Sequence, residues 1–489
     1  MNSPLRPNKA SVGRAALWSA GGAAASQLVS LAAFLLIARA LDPQAFGLVA
    51  LAALFISLMA VVAEQGFTQA LVQRPTLDHA HLHTAFWTNL AFSGALASTL
   101  MLGSVSLATA LAEPELAPIL QVLSLSLILG ALSGVQSAIL QRAMRFGALT
   151  ARGFLGTSAG AAVGIGLAWG DLGVWALVAQ TLVAQSVTAM GLWSASDWRP
   201  QPTFSIHRLQ ELWSFGLNIL GSQLISLINS KTASMFIAAL LDKHALGLYT
   251  IAARIETTLS SLLVGSITRV SLAALARFQS DHARFRHIYL RGVQLIAALA
   301  VPVFVGVSAL ATEITTAMLG PKWAEAAPIL RVLSLAGVVT VVGTFNATAI
   351  NSLGFPQHNF RLNLLATVVL LPAVVAGSFW GLMGIATGFV ARAYLLWPLR
   401  FVVLRGLCGV TFRELFASIW GILLSAAVMA ATLSSVRNVD AGLDQYSHLA
   451  ILVGLGALLY TLCLGLFAPA ALREAISTGR AALARASSD

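Results

Sequence analysis

Along most of this chain the apolar positions neither alternate nor keep to one stripe; they fill whole runs bounded by short polar or charged clusters. A helix rises about 1.5 Å per residue, so an apolar run of about 20 residues spans a hydrocarbon core of about 30 Å. Such runs lie at roughly 15–38, 45–70, 84–110, 117–140, 153–170 and 173–193. A second set follows near 212–240, 246–273, 289–310, 327–352, 362–379 and 381–404, with two more near 414–434 and 447–468. Only short Gly-containing turns divide 153–170 from 173–193 and 362–379 from 381–404. The pattern predicts an all-α polytopic membrane protein of about 14 transmembrane helices.

The runs are written twice. Leu17-Trp18-Ser19 returns as Leu212-Trp213-Ser214, SQLVSL from Ser26 as SQLISL from Ser222, and FGL at Phe46 as LGL at Leu246. APILQVLSL from Ala117 reappears as APILRVLSL from Ala327. Trp, Gln and Pro inside the matches argue against chance similarity of apolar sequence, and the order of the strings is kept. Internal duplication in a membrane chain points to transporters. The expected organisation is two parallel six-helix lobes, 1–200 and 201–406, plus a C-terminal helical hairpin and tail at 407–489. A six-span unit is even in number, so both copies insert with the same orientation, related by an axis along the membrane normal.

Composition agrees: 58% of residues are hydrophobic and only 10% charged, against about 25% charged in soluble domains. The net charge of +11 raises the question of nucleic acid, but its distribution answers otherwise. Threaded from a cytoplasmic N-terminus, Arg74, Arg142, Arg145, Arg208, Arg284, Arg286, Arg361, Arg405 and Arg413 all fall on one side. The other side carries Asp42, Glu113, Glu115, Asp171, Asp242 and Glu325 with few cations, Lys243 and Lys322 among them. This is the positive-inside asymmetry. It predicts a multi-pass protein of the cytoplasmic (inner) membrane with both termini cytoplasmic, and no nucleic-acid partner. The first span, after a short basic leader and without a clear A-x-A exit, reads as an uncleaved anchor.

The connections are too short for a soluble catalytic domain; the longest, about 274–288, is a basic cytoplasmic one. There is no Walker A string, and nothing proposes a nucleophile, base and oxyanion site in mutual reach. His79, His81 and His83, expected in a cytoplasmic loop, resemble a metal cluster but lack Cys or grouped carboxylates, and Cys408 and Cys463 stand apart. No catalytic residue, metal or cofactor is expected; the chain reads as a non-enzyme.

Charges inside spans are costly and face a bundle interior or a watery cavity. Lys231, Arg254 and Glu256 lie roughly 15 Å deep by helical rise, and Arg392 near the middle of its span. Arg254 and Glu256 are two residues apart and point to different sides of a helix. Arg39 and Glu64 lie closer to span ends, where snorkelling accounts for a charge equally well. Lys231, Arg254, Arg392 and Arg39 are the candidate substrate-binding residues, and Glu256 and Glu64 the candidate ion-coupling residues. Opposite the deep charges of the second copy, the first copy has apolar positions near Phe34, Leu54 and Ile56. Asn229, Asn346, Asn351 and Asn363 fit a role as interhelical glue.

The run from Phe46 to Arg74, HTAFWTNLAFSG from His83, and PKWAEAAPILRVLSL followed by NATAINSLGFPQHNFRLNL resemble the Wzx-like polysaccharide and O-antigen flippases (polysaccharide biosynthesis proteins) of the MOP superfamily. These are related to MATE exporters and lipid II flippases. The likeness covers about residues 10–405. It implies two six-helix lobes facing a central cavity, and alternating-access transfer of an undecaprenyl-diphosphate-linked oligosaccharide for surface or exported polysaccharide. Lipid-linked oligosaccharide and membrane lipids are the implied partners, with a polysaccharide polymerase and export machinery as further candidates. Two alternatives compete. An ion-coupled exporter of small amphiphilic cations would want deep acids, whereas the deep set here is mostly basic. A membrane glycan polymerase or ligase would want a substantial outer loop.

Overall fold

The computed structural model describes residues 9–74, 77–279, 281–438, 444–474 and 477, with the side chains of 9–20, 215, 218, 265–274 and 276 outside the description. Among these residues there is no strand. The first copy gives α1 (Lys9–Ala40), α2 (Pro43–Glu64), α3 (Phe67–Gln73), α4 (His79–Ala110), α5 (Leu116–Arg142), α6 (Phe146–Trp169) and α7 (Trp175–Ala195). The second opens with α8 (Ile206–Leu240), α9 (Lys243–Ala276), α10 (His282–Ala309) and the short α11 (Ala311–Ile314). After a π turn (Thr315–Leu319) and a 3-10 segment (Pro321–Ala326) come α12 (Ala327–Ser352), α13 (Pro356–Ser378) and α14 (Gly381–Cys408). The hairpin is α15 (Phe412–Val436) and α16 (Gln445–Phe467). Eleven helices among the described residues are long and apolar enough to cross a membrane. The helices α6, α8 and α9, at 24, 35 and 34 residues, are also long enough.

Ends are fixed by ordinary capping chemistry. Asp78 accepts from the His81 amide at the start of α4, Thr411 and Glu414 form a capping box on α15, and Asp444 accepts from the Tyr446 and Ser447 amides on α16. These bonds satisfy amides that a helix start leaves open. The closely split pairs of the sequence are separate helices. Asp171 and Gly173, in the left-handed region at φ 57 and 54, turn α6 into α7, and Gly381 at φ 64 follows the end of α13. Both pairs then pack tightly through small residues: Gly156 and Gly160 lie against Ala184, and Gly388 against the Ala373 carbonyl. Small residues at four-residue spacing let helix backbones approach in the absence of a hydrophobic drive.

Three expectations are corrected. The run 45–70 is not one helix: Gln65 and Gly66 take φ 50 and 70 and break it into α2 and α3. Gly66 does so beside α8, where a Cβ would sit 2.8 Å from Ile219 Cβ and 2.9 Å from the Gly216 carbonyl. The connection expected at 274–288 is mostly helix, because α9 continues to Ala276 and Asp281 caps α10 by accepting from the Arg284 amide at 3.1 Å. His79, His81 and His83 are not in a loop but in the first two turns of α4.

The chain forms two compact units, residues 1–238 with 242–247, and 239–241 with 248–489. In the first, α1 packs on α6, α4 on α5, and α6 on α7. The long α8, although it opens the second copy, belongs to this unit. In the second unit α10, α12, α14 and α15 enclose a core that includes Tyr289, Phe304, Phe345 and Ile422. The terminal hairpin is part of that core: Tyr460 of α16 donates to the Ala298 carbonyl of α10 at 2.9 Å. Asn346 accepts from Tyr289 at 2.6 Å, and Asn351 from Asn359 at 2.8 Å, so both act as interhelical glue.

One contact inside the first unit joins equivalent positions of the two copies. A Cβ on Gly47 of α2 would overlap the Lys243 carbonyl, and a Cβ on Gly247 of α9 would overlap the Pro43 carbonyl. Beside this crossing Lys243 Nζ donates to Glu113 Oε2 at 2.7 Å. That hydrogen bond, with the charges of Glu113 and Glu115, raises the Lys243 pKa against the opposing effect of burial.

Candidate functional site

Each deep charge sits on a long helix. In the first unit these are Arg39 on α1, exposed, Glu64 at the end of α2, and Lys231 on α8, both half-buried. Glu64 is hydrogen-bonded by Thr68 across the α2–α3 break. In the second unit Arg254 and Glu256 lie on α9 and Arg392 on α14, all half-buried.

Glu256 accepts from Ser260, one turn along its own helix, at 2.7 Å. Arg392 donates through Nη1 to the Ala366 carbonyl of α13 at 3.0 Å, and its guanidinium lies 5.1 Å from the Phe389 ring centre. Tyr249, nearly buried on α9, is close enough to feel both Glu256 and Arg392. Tyr249 is a residue that sequence reasoning passed over. Nothing in the apolar pattern marks Tyr249, because its partner on α14 lies well over a hundred residues away. Beside Arg392, a groove of about 620 Å³ runs between α13 and α14, lined by Gly377, Trp380, Met383, Gly384 and Gly388. Its walls are apolar, so Arg392 is the single charge it offers among the lining residues.

The basic face of the first unit holds a denser polar array than its sequence foretold. Glu211, ahead of the apolar stretch of α8, is paired with Arg74 and with Arg208 at 3.2 Å, and takes His81 Nε2 at 3.0 Å and His207 Nε2 at 3.0 Å. The hydrogen bond from His81, with the charges of Arg74 and Arg208, holds the Glu211 carboxyl below the usual range against partial desolvation. Arg208 also reaches Asp78 at 2.8 Å. The segment between the copies is laid on α4. Trp87 Nε1 donates to the Gln201 carbonyl at 2.8 Å, the Gln201 amide donates to His83 Nδ1 at 3.0 Å, and the Ser205 amide donates to Thr84 at 3.2 Å. Trp198 stacks on His83 with ring centres 5.3 Å apart. Of the three histidines that resembled a metal cluster in sequence, His83 thus holds this strap, His81 is ion-paired, and His79 is exposed with its ring centre 6.3 Å from that of His83. Among the described residues no group of three His, Cys, Asp or Glu is placed to hold a metal ion.

The described helices superpose on those of known transporters. The chain has a TM-score of 0.74 to the lipid II flippase MurJ in an inward closed conformation, at 14% identity, over 90% of this chain and 96% of that one. To an inward-facing multidrug resistance MATE family transporter of the MOP superfamily the score is 0.60, at 18% identity, over 78% and 95%. These likenesses concern the fold. In sequence, the chain is 28% identical over 461 residues to the succinoglycan biosynthesis transport protein ExoT of Rhizobium meliloti, covering 92% of each chain. It is 23% identical to the lipopolysaccharide biosynthesis protein WzxC of Escherichia coli over 83% of each, and 24% identical to the teichuronic acid biosynthesis protein TuaB of Bacillus subtilis over 82% and 84%. The family of polysaccharide biosynthesis proteins matches residues 36–328, more than half of the 489 residues, and the chain belongs to it.

Proposed function

We propose that this protein is a flippase that carries an undecaprenyl-diphosphate-linked oligosaccharide repeat unit across the cytoplasmic membrane by alternating access, for surface or exported polysaccharide. One observation carries the reading: end-to-end similarity to polysaccharide transport and biosynthesis proteins in a polytopic helical chain. The chemistry of the deep residues supports it. Lys231, Arg254 and Arg392 are half-buried cations on long helices, deep in the membrane by helical rise, and cations stabilise phosphate oxygens through charge-assisted hydrogen bonds. Glu256 and Glu64 are the proposed coupling groups, and α6, α8 and α9 complete fourteen spans. No bond in the cargo need form or break, so the protein acts as a transporter rather than an enzyme.

The test is genetic and biochemical. A host lacking the chain is expected to accumulate lipid-linked repeat units on the cytoplasmic leaflet and to lose the exported glycan, and re-expression restores both. Normal export and normal precursor levels in the deletion strain would overturn the assignment.

Orientation follows from the one-sided arginines. Alkaline phosphatase fused after Ala112, in the turn between α4 and α5, is expected to be active outside the cytoplasm, and fusions after Arg74 or Arg284 inactive. An active fusion at Arg284 would reverse the threading of the second copy.

A further inference from the structure

We propose that His83 is a proton-sensitive latch that holds the strap between the two copies, residues 197–205, onto α4.

Gln201 donates its backbone N–H to His83 Nδ1 at 3.0 Å. An imidazole nitrogen accepts only when it carries no proton. Once Nδ1 is protonated, two N–H groups face each other across the same distance and the bond becomes a repulsion. His83 is 4% exposed, so the charge it gains on protonation is poorly solvated while the strap stays in place, and burying an unpaired charge is costly. Trp198, stacked on the same ring, must follow any shift of the imidazole.

His81, two residues away, behaves in the opposite manner. Its Nε2 meets Glu211 at 3.0 Å, while its Nδ1 lies against both the Asp78 amide, at 3.3 Å, and the Asp78 carboxylate. With Nδ1 bare it accepts from that amide; with Nδ1 protonated it donates to that carboxylate. Its contact with Glu211 survives in either state. Protons therefore act on the strap and spare the ion network one turn further along α8.

The surroundings of His83 sharpen the effect. On its own helix the facing titratable group is His79, whose ring centre is 6.3 Å away, so protonating both rings sets like charges together. The strap contributes Arg199, which donates to the Ser196 and Trp198 carbonyls and lies over Trp193 of α7. From α8 come Arg208, His207 and Glu211, and from the end of α3 comes Arg74, engaged with one another and with Asp78 and His81, while Arg142 of α5 donates to the Leu71, Val72 and Arg74 carbonyls. Asp197 of the strap is exposed, and the carboxylates of Asp78 and Glu211 are engaged with His81 and Arg208. The strap runs directly into α8, so its release frees the segment that enters that helix.

Amide hydrogen exchange of the full-length protein in lipid nanodiscs tests the latch. With chemical exchange rates corrected for pH, protection of residues 197–205 is expected to fall about tenfold between pH 7.5 and pH 5.5, while peptides of α6 and α7 hold theirs. His83→Asn, whose side-chain oxygen can accept in place of Nδ1 without titrating, is expected to keep the strap protected at both pH values. His83→Leu, which offers no acceptor, is expected to expose it already at pH 7.5. Unchanged wild-type protection at pH 5.5, or a fully protected strap in His83→Leu, would overturn the proposal.

Discussion

Replacing Lys231 or Arg254 with glutamine is expected to lower cargo binding about ten- to a hundredfold, because each charge-assisted contact contributes roughly 1.5–3 kcal/mol. The variants should still insert and reach the membrane at normal abundance, since a neutral amide is easier to bury in a span than a cation. Lys231→Arg should keep more export than Lys231→Gln, as phosphate requires the positive charge before a particular geometry. Glu256→Gln should part company with these: headgroup binding persists while transport changes. The measurement is complementation of glycan export, read beside the membrane abundance of each variant and binding of the lipid-linked diphosphate. Normal export by both Lys231→Gln and Arg254→Gln at native abundance would make these charges structural.

The second large effect is expected at the crossing of α2 and α9. A methyl group on Gly47 or on Gly247 would overlap backbone of the other helix, at Lys243 and Pro43 respectively. Backbone cannot swing aside as a side chain can, so each Gly→Ala substitution should cost at least the 1–3 kcal/mol typical of overpacking. The double variant is expected to be scarcely worse than either single one, because both methyls force apart the same pair of backbones. Thermal unfolding in detergent, followed for the two single variants and the double, measures this. Two full, additive losses would mean that the glycines belong to separate contacts. Gly103, around which a Cβ would meet nothing within 4 Å, serves as the control for alanine in a helix of the same unit.

The helices were legible in the sequence because burial by lipid acts on whole runs. A residue in a span needs only to be apolar, and its tertiary neighbours hardly alter that requirement. The run 327–352 coincides with α12, and the close pair 153–170 and 173–193 resolves into α6 and α7. Local backbone chemistry was less legible. Gln65 and Gly66 take left-handed conformations where Gly216 and Ile219 of α8, some 150 residues on, come close, and no local pattern carries that approach. Polar residues outside the spans were less legible for a related reason. Asp281 looks like any loop acid until its carboxylate is seen capping α10, and three alternating histidines look like ligands until Trp198 and Gln201 are found against one of them. The site shows the same division. Cost of burial singles out Lys231, Arg254, Glu256 and Arg392 one at a time, but the partners of Arg392, the Ala366 carbonyl and the Phe389 ring, depend on how α13 and α14 pack.

The α2–α9 crossing bears on how such a chain could have arisen. Position 47 of the first copy lies on position 243, and position 247 of the second lies on position 43, so the same patch meets itself with the roles exchanged. That reciprocity is the form of an isologous dimer contact. A half-length ancestor bearing Gly at this position could already have closed on a second molecule of itself. Joining the two genes would then have added a strap to an interface that already existed, and later drift could place Lys231, Arg254 and Glu256 on one half without a counterpart on the other.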